Sequence, residues 1–235
     1  MTNHVKDQEL IYRPLPRVEL EKGIRTRIVS DRVSPKGAFY PIGFSIDEDV
    51  AKNIVVHDIK VQGNSQLCSS GSIPGSLFSV ARPLIKVNLA RVVPGQSISL
   101  EVTNFGSSME FEGNVVGSRI PTKNHPKMLG FGHTEVAGAI VISTQSQLPF
   151  EPSRLFVPPH VLDQFDIEFI RGERYLDLSE VPIVPPEMLT TDNLLKGGKI
   201  RFSHSSVLGD ATYIAIGVRN KASSPAYFDA VLLGK

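Results

Sequence analysis

The feature that most constrains the fold of this 235-residue chain is an internal repeat, in which five short segments recur in the same order. In the first pair, FYPIGFSI at residues 39–46 aligns with FEPSRLFV at residues 150–157. In the last pair, FEGNVVG at 111–117 aligns with FDAVLLG at 228–234. The three pairs between them are HDIKVQGNSQL with FDIEFIRGERYL (Asp58 on Asp166), SIPGSLFS with IVPPEMLT, and SISLEVTN with YIAIGVRN. The difference in residue number between paired segments changes by only about six residues along the chain. The sequence therefore indicates a duplicated unit of about 95 to 100 residues.

Each unit is predicted to consist of β-strands. SISLEVTN and YIAIGVRN alternate apolar and polar residues, as strands with one buried face do. The other segments, LIKVNLARVV among them, are short and rich in Val and Ile, and Gly, Pro, Asn or Ser turns separate them. About seven or eight strands per unit predict a β-sandwich or barrel rather than an alternating α/β fold. Short helical turns are expected in DEDVAKNI, PPHVLDQF and PPEML.

The repeat divides the chain into four parts. Residues 1–22 precede the first predicted strand and are expected to form an N-terminal arm, and residues 23–117 are the first predicted sandwich. Residues 118–134, SRIPTKNHPKMLGFGHT, contain two Pro and two Gly without alternation, which predicts a linker. Residues 135–235 are the second predicted sandwich. The arm is modestly basic, so a weak contact with nucleic acid or an internal membrane is a candidate role beside that of a solvated tail.

Several recurrent residues are expected to have structural roles. Asn104 and Asn220 end equivalent strands, where the amide side chain can hydrogen-bond its own turn. Gly117 and Gly234 end the last strand of each unit. Two prolines precede apolar residues in equivalent connections that leave the sheet, namely Pro74 and Pro185.

The search for chemical sites predicts no catalytic residues, no cofactor site and no metal ligands. Cys68 is the only cysteine, which excludes an intrachain disulfide and a Cys-rich zinc site. Asp47, Glu48 and Asp49 lack EF-hand spacing and are expected to cap a helix. GFGHT contains a lone Gly-x-Gly without the third glycine of a phosphate-binding loop. No histidine lies two or four positions from another, as a zincin or a strand-borne pair would require; the six are His4, His57, His125, His133, His160 and His204.

Composition narrows the function classes further. Twenty-five Lys and Arg against 24 Asp and Glu give a formal net charge of +1, which argues against a protein whose whole surface binds polyanions. The first ten residues are polar, so we expect no signal peptide and synthesis in a cytoplasm. The longest apolar runs fall far short of the roughly 18 residues that span a bilayer. These features favour a structural or binding role over an enzyme.

The order of the repeated segments resembles the tandem, or double, jelly-roll capsid proteins of tailless icosahedral bacteriophages. The likeness is carried by the aromatic-x-Pro segment, the DIKVQGNSQL or DIEFIRGERYL segment, IPGSLFS or VPPEMLT, and the closing strands, and it covers residues 23–235. It implies an all-β fold of two tandem jelly-roll-like β-sandwiches related by internal duplication, with very little helix. It further implies a virion location, homotrimers that tile a shell as pseudo-hexagonal blocks, contacts with other virion proteins, and no small-molecule substrate.

Two alternatives fit the same sequence. A minor virion protein, such as a cement, penton or spike-base component, requires the same architecture. A carbohydrate- or protein-binding tandem β-sandwich module is the other candidate. The absence of Trp and the presence of only five Tyr disfavour the carbohydrate form, because sugar-binding faces are commonly built from exposed aromatic rings.

Overall fold

Two β-sandwiches make up the computed structural model, which describes residues 9–34, 37–122, 124–172 and 213–235. The elements of the first sandwich are β1 (Ile11–Pro14), β2 (Glu19–Leu20), β3 (Arg25–Val29), β4 (Tyr40–Ile46), α1 (Glu48–Ala51), β5 (Ile54–Val61), β6 (Asn64–Ser65), β7 (Ile73–Pro74), β8 (Ile98–Asn104), β9 (Met109–Glu110) and β10 (Gly113–Ser118). Those of the second are β11 (Lys127–Val136), β12 (Ala139–Gln145), β13 (Pro152–Phe156), α2 (Pro159–Leu162), β14 (Phe165–Arg171), β15 (Tyr213–Asn220) and β16 (Ala226–Gly234).

The two sandwiches have the same strand order. One sheet of the first sandwich has the order β1-β10-β4, and its counterpart in the second has the order β11-β16-β13. The opposite sheets have the orders β3-β8-β5, extended by β6, and β12-β15-β14. In each sandwich the first and last strands are therefore neighbours, and the sheets follow the order of a jelly roll. The predicted all-β fold of two tandem jelly-roll-like sandwiches is confirmed.

Irregularities of strand pairing also recur at equivalent positions. Against β10, strand β4 has one residue outside the register, Ile42, and β13 has one at the same place against β16, Ser153. Likewise, β5 omits His57 against β8, and β14 omits Glu168 against β15. Because β-bulges are specific features of a fold, two shared bulges confirm that the sandwiches are related by duplication.

The second bulge corrects one alignment of the repeat. The sequence places Asp58 on Asp166 through a shared Asp-Ile. In the structure, Asp58 and Phe169 follow the bulges and face equivalent residues of the central strands, Glu101 and Gly217. The sequence alignment is thus shifted by three residues. A two-residue identity is misleading here, because an odd shift exchanges the buried and exposed faces of a strand.

A fourth chain segment lies beside β4, where LIKVNLARVV is predicted to be a strand. Phe39 and Val92 exchange backbone hydrogen bonds of 2.9 and 2.8 Å, and the Val87 N–H donates to the Ile42 carbonyl at 2.7 Å. The segment is nevertheless not a regular strand. The N–H of Asn88 donates to the Pro126 carbonyl, and other backbone donors of the segment likewise bond outside the sheet.

The predicted arm, residues 1–22, contains two strands of the first sandwich. β1 pairs with β10 from Ile11 to Pro14, and β2 pairs with β9. Pro14 and Pro16 hide the strand in the sequence, because proline lacks the N–H that continues a ladder. The arm boundary at residue 22 is therefore too late, since the sheet needs a first strand beside its last one.

The predicted linker, residues 118–134, contains most of β11, the partner of β16 over its whole length. Its GFGHT sequence lacks alternation because two of its positions require glycine. Gly132 has a φ of +92°, a conformation that side chains disfavour. Gly130 contacts the backbone of the first sandwich. The linker boundary at residue 134 is therefore wrong, and the second sandwich begins near Lys127.

Two of the predicted helical turns are confirmed as short helices. Asp47 caps α1, and its carboxylate accepts the N–H groups of Asp49 at 2.9 Å and Val50 at 3.4 Å. Helix α2 begins with Pro159 in its first turn, where the missing N–H costs nothing. The predicted turn in PPEML lies outside the described residues. No helix in the described ranges is long and apolar enough to cross a bilayer.

Candidate functional site

The two sandwiches are joined by backbone hydrogen bonds between the segment before β7 and strand β11. The Cys68 N–H donates to the Met128 carbonyl at 2.8 Å, and the Gly132 N–H donates to the Ser72 carbonyl at 3.0 Å. A bridge also pairs Leu67 with Met128. The first sandwich thus adds a strand-like segment to the edge of the second.

The backbones approach so closely at this junction that only glycine fits. A Cβ on Gly71 would lie 2.1 Å from the Gly130 carbonyl oxygen, and one on Gly130 would lie 2.4 Å from the carbonyl oxygens of Gly71 and Ser72. Ser69 completes the contact, since its hydroxyl donates to the Gly130 carbonyl and accepts the Gly130 N–H, both at 3.0 Å.

The hydrophobic cores also cross the junction. Four buried residues of the second sandwich belong to the core of the first, namely Met128, Phe156, Val231 and Leu233. In the opposite direction, Cys68 belongs to the core of the second. Burial raises the pKa of the Cys68 thiol. A shared core fixes the two sandwiches as one packed block.

A cavity of about 460 Å³ opens at the junction, and its lining includes His133 and Asp229. His133 on β11 and Asp229 on β16 are cross-strand neighbours, and His133 Nδ1 lies 2.8 Å from Asp229 Oδ1. The His133 ring stacks on Tyr227 with centroids 4.3 Å apart and contacts Phe105 of the first sandwich at 4.0 Å. The pair therefore lies where both sandwiches meet.

Two polar atoms of this cavity are buried without a hydrogen-bond partner in the described part of the chain: His133 Nε2 and Ser76 Oγ. Because the Asp229 carboxylate can only accept, the proton of a neutral His133 resides on Nδ1 and leaves a lone pair on Nε2. The site can thus accept a hydrogen bond or proton from a ligand. Ser76, His133 and Asp229 do not form a linked catalytic set, since Ser76 does not bond His133.

Two further histidines, His57 and His160, lie near the junction. Burial, followed by the positive charge of Arg25, lowers the pKa of His57, whose Nε2 lies 2.9 Å from Thr103 Oγ1. Burial also lowers the pKa of His160, against the opposing influence of Asp229. His57, His133 and His160 are not metal ligands together: in the described ranges no three His, Cys, Asp or Glu side chains form a metal-binding group.

The recurrent asparagines have the roles that the sequence predicts. Asn104 Nδ2 donates to the Leu20 and Ser107 carbonyls at 3.0 and 2.8 Å, and its Oδ1 accepts the Gly106 N–H. Asn220 makes the same three bonds, to Val136, Ser224 and Ala222, each at 2.8 Å. Each amide ties its own turn to an early strand of its sandwich, β2 for Asn104 and β11 for Asn220.

The recurrent glycines are equally alike. A Cβ on Gly117 would lie 2.6 Å from the Phe39 ring, and one on Gly234 would lie 2.8 Å from the Phe150 ring. This packing explains why Phe39 and Phe150, and Gly117 and Gly234, recur together. Pro74 lies in β7, whereas Pro185, His4 and His204 lie outside the described residues.

The outward faces of the equivalent sheets differ strongly. In the first sandwich, Glu101 lies between Arg25 at 2.6 Å and Lys60 at 2.7 Å. In the second, Gly217 replaces Glu101, and the Phe169 ring covers it. Beside Gly217, Val141 is 58% exposed. The first face thus has a charged, paired centre, whereas the second has an apolar centre flanked by the Arg219–Glu168 ion pair.

The sequence reasoning missed the His133–Asp229 pair. The available signal was the repeat: Glu112 and Asp229 both follow a buried phenylalanine, and each pairs with a basic side chain. The partner of Glu112 is Arg17. His133 was visible only as part of the Gly-rich GFGHT segment. No known protein family matches the sequence, and no curated protein sequence matches it either.

Proposed function

We propose that the chain is a capsid or virion structural protein that assembles with copies of itself into trimeric, pseudo-hexagonal blocks of an icosahedral shell. The observation that carries the proposal is the fusion of two jelly rolls of identical strand order into one packed block. Such a subunit presents two similar outlines side by side, so three copies place six similar units around one axis. Symmetry then repeats each modest contact many times over.

The surface of the second sandwich supports assembly. Its outward sheet face has an apolar centre of Val141 and Phe169, and Tyr213 beside it is 53% exposed. Large apolar side chains grouped on a solvent-facing sheet are typical of interaction surfaces. The charged face of the first sandwich lacks this feature, so the two halves of one subunit would make different contacts.

The test is the mass and shape of the purified protein, by light scattering and negative-stain microscopy over a range of concentration and salt. We expect trimers, and sheets or shells that grow with concentration. Val141→Lys is expected to weaken assembly, whereas Arg27→Lys, at the equivalent position of the first sandwich, leaves it intact. A particle that stays monomeric at high concentration contradicts the proposal.

A ligand-binding tandem β-sandwich is the alternative, and the junction cavity is the observation that favours it. His133 Nε2 is buried without a hydrogen-bond partner in the described ranges, and the exposed rings of Phe105 and Tyr227 lie at its side. Calorimetry against a panel of mono- and oligosaccharides tests this alternative. A ligand that binds the unaltered protein but not His133→Phe supports it, and the absence of binding across the panel contradicts the carbohydrate form.

A further inference from the structure

A second cavity, of about 890 Å³, lies away from the junction cluster, between the segment beside β4 and the ends of β13 and β16. Its lining is strongly basic and includes four cations, namely Lys86, Lys127, Arg154 and Lys235. None of the lining residues in the described chain is an Asp or Glu. The concavity therefore collects positive charge in a protein whose formal net charge is only +1.

These four charges are not neutralised within the described ranges. No ion pair there includes any of them, and the only hydrogen bond of a charged group among them joins Lys127 Nζ to the Pro149 carbonyl at 3.1 Å. By contrast, the cations Arg25 and Lys60 on the first sandwich both bind Glu101. Charges of one sign in a concave site strengthen the local field and attract counter-ions.

A buried polar atom of the same cavity also lacks a partner. His125 Nε2 is buried and makes no hydrogen bond in the described part of the chain. Burial and the nearby charge of Lys86 lower the pKa of His125, so the ring is neutral at pH 7. A neutral ring with its proton on Nε2 donates to a ligand oxygen. Asn88 and Asn124 add amide groups to the lining.

We propose that this cavity binds adjacent phosphate groups, as presented by the backbone of a single-stranded nucleic acid or by a free polyphosphate. Arginine and lysine are the usual phosphate partners in proteins, and this cavity contains four such residues. Among the described residues no Phe, Tyr or Trp lines the cavity, so bases have no large aromatic ring to stack on there, only the His125 imidazole. Recognition would therefore be through the phosphates and independent of base sequence.

The experiment measures fluorescence polarisation of a labelled oligothymidylate, with tripolyphosphate as competitor and as a separate calorimetric ligand. The test variant is Lys86→Gln with Arg154→Gln, two exposed side chains without a hydrogen bond or ion pair in the described ranges. The control is Arg32→Gln with Arg119→Gln, two exposed arginines outside the cavity lining, which removes the same net charge.

We expect the test variant to bind about tenfold more weakly at low salt and the control to stay within about twofold. The slope of log affinity against log salt should fall by about 1.4 in the test variant, since each single-strand phosphate contributes about 0.7. If the test variant loses binding of both probes, the site is supported with nucleic acid as the source of the phosphates. If it loses binding of tripolyphosphate alone, the site is supported with a free polyphosphate as the source. Equal weakening in both variants, or binding of neither probe by the unaltered protein, overturns the proposal.

Discussion

Equivalent acidic residues of the two sandwiches, Glu112 and Asp229, each pair with a basic side chain, but the surroundings of the two pairs differ. Arg17 and Glu112 pair at the surface of the first sandwich, with side chains 67% and 47% exposed. His133 and Asp229 pair in the second with side chains only 13% and 8% exposed. The second pair is buried because Phe105 of the first sandwich packs on it. Equivalent backbone positions thus acquired different environments once one copy covered the other.

The comparison extends to the whole molecule. Features that hold a single sandwich together, such as the asparagine turns and the Phe–Gly contacts, are the same in both copies. Features that face outward, such as the charged and apolar sheet faces, differ. Because packing restricts residues more tightly in the core than at the surface, we infer that the two copies diverged mainly at solvent-exposed positions and at the junction. Four sets of substitutions test this distinction.

The largest effect is expected at the junction, where one copy contacts the other. Gly130→Ala adds a Cβ 2.4 Å from two carbonyl oxygens of the first sandwich, which cannot move independently. We expect the free energy of unfolding to fall by about 3 kcal/mol or more. Urea denaturation measures it. Gly138→Ala is the control, because its Cβ would meet no atom within 4 Å; equal losses in the two variants would refute the close approach.

The next largest effect is expected at the equivalent asparagines, which make the same hydrogen bonds in both sandwiches. Asn104→Ala and Asn220→Ala each remove a buried amide with three hydrogen bonds. We expect each to lower the free energy of unfolding by about 2 to 3 kcal/mol, because carbonyl groups are left unpaired. The exposed Asn64→Ala should change it by less than about 0.5 kcal/mol. Strongly unequal losses at the two buried positions would break the equivalence.

The outcome of the sequence analysis follows the same division. Alternation in SISLEVTN and YIAIGVRN predicted β8 and β15 because one buried face imposes period two. The repeat identified the equivalent asparagines because each satisfies a local turn. These features depend on residues that are close in sequence, so a single sequence carries the information.

The features that the sequence did not predict depend on distant residues. The sequence predicts a linker over most of β11 because Gly130 interrupts the alternation expected of a strand. A glycine is needed there because the backbone of Gly71, in the other sandwich, lies against it. The His133–Asp229 pair joins residues 96 positions apart, and only the covering Phe105 makes it buried. Neither partner has a spacing that would reveal the pair before the two sandwiches are packed together.

A smaller effect on the free energy of unfolding is expected from breaking the His133–Asp229 and Arg17–Glu112 pairs. Asp229→Asn leaves His133 buried without its carboxylate, and we expect a loss of about 1 to 2 kcal/mol in the free energy of unfolding. Glu112→Gln breaks an exposed pair and should cost less than about 0.5 kcal/mol. Chemical denaturation of both variants under the same conditions gives the difference. If Glu112→Gln cost as much as Asp229→Asn, burial would not be what separates the pairs.

The smallest effect concerns the equivalent bulge residues, His57 and Glu168, which face Thr103 and Arg219. The folded protein holds the pKa of His57 below the ordinary 6.5, so below that pH the unfolded chain binds a proton that the folded one does not. Stability at this site is therefore complete above about pH 6.5 and declines as the pH falls toward the lowered pKa. His57→Gln should reduce the drop in urea midpoint between about pH 7.5 and 5.5. Glu168→Gln, at the equivalent bulge, is the matched control; equal pH profiles for His57→Gln and the unaltered protein would show that His57 does not couple protonation to folding.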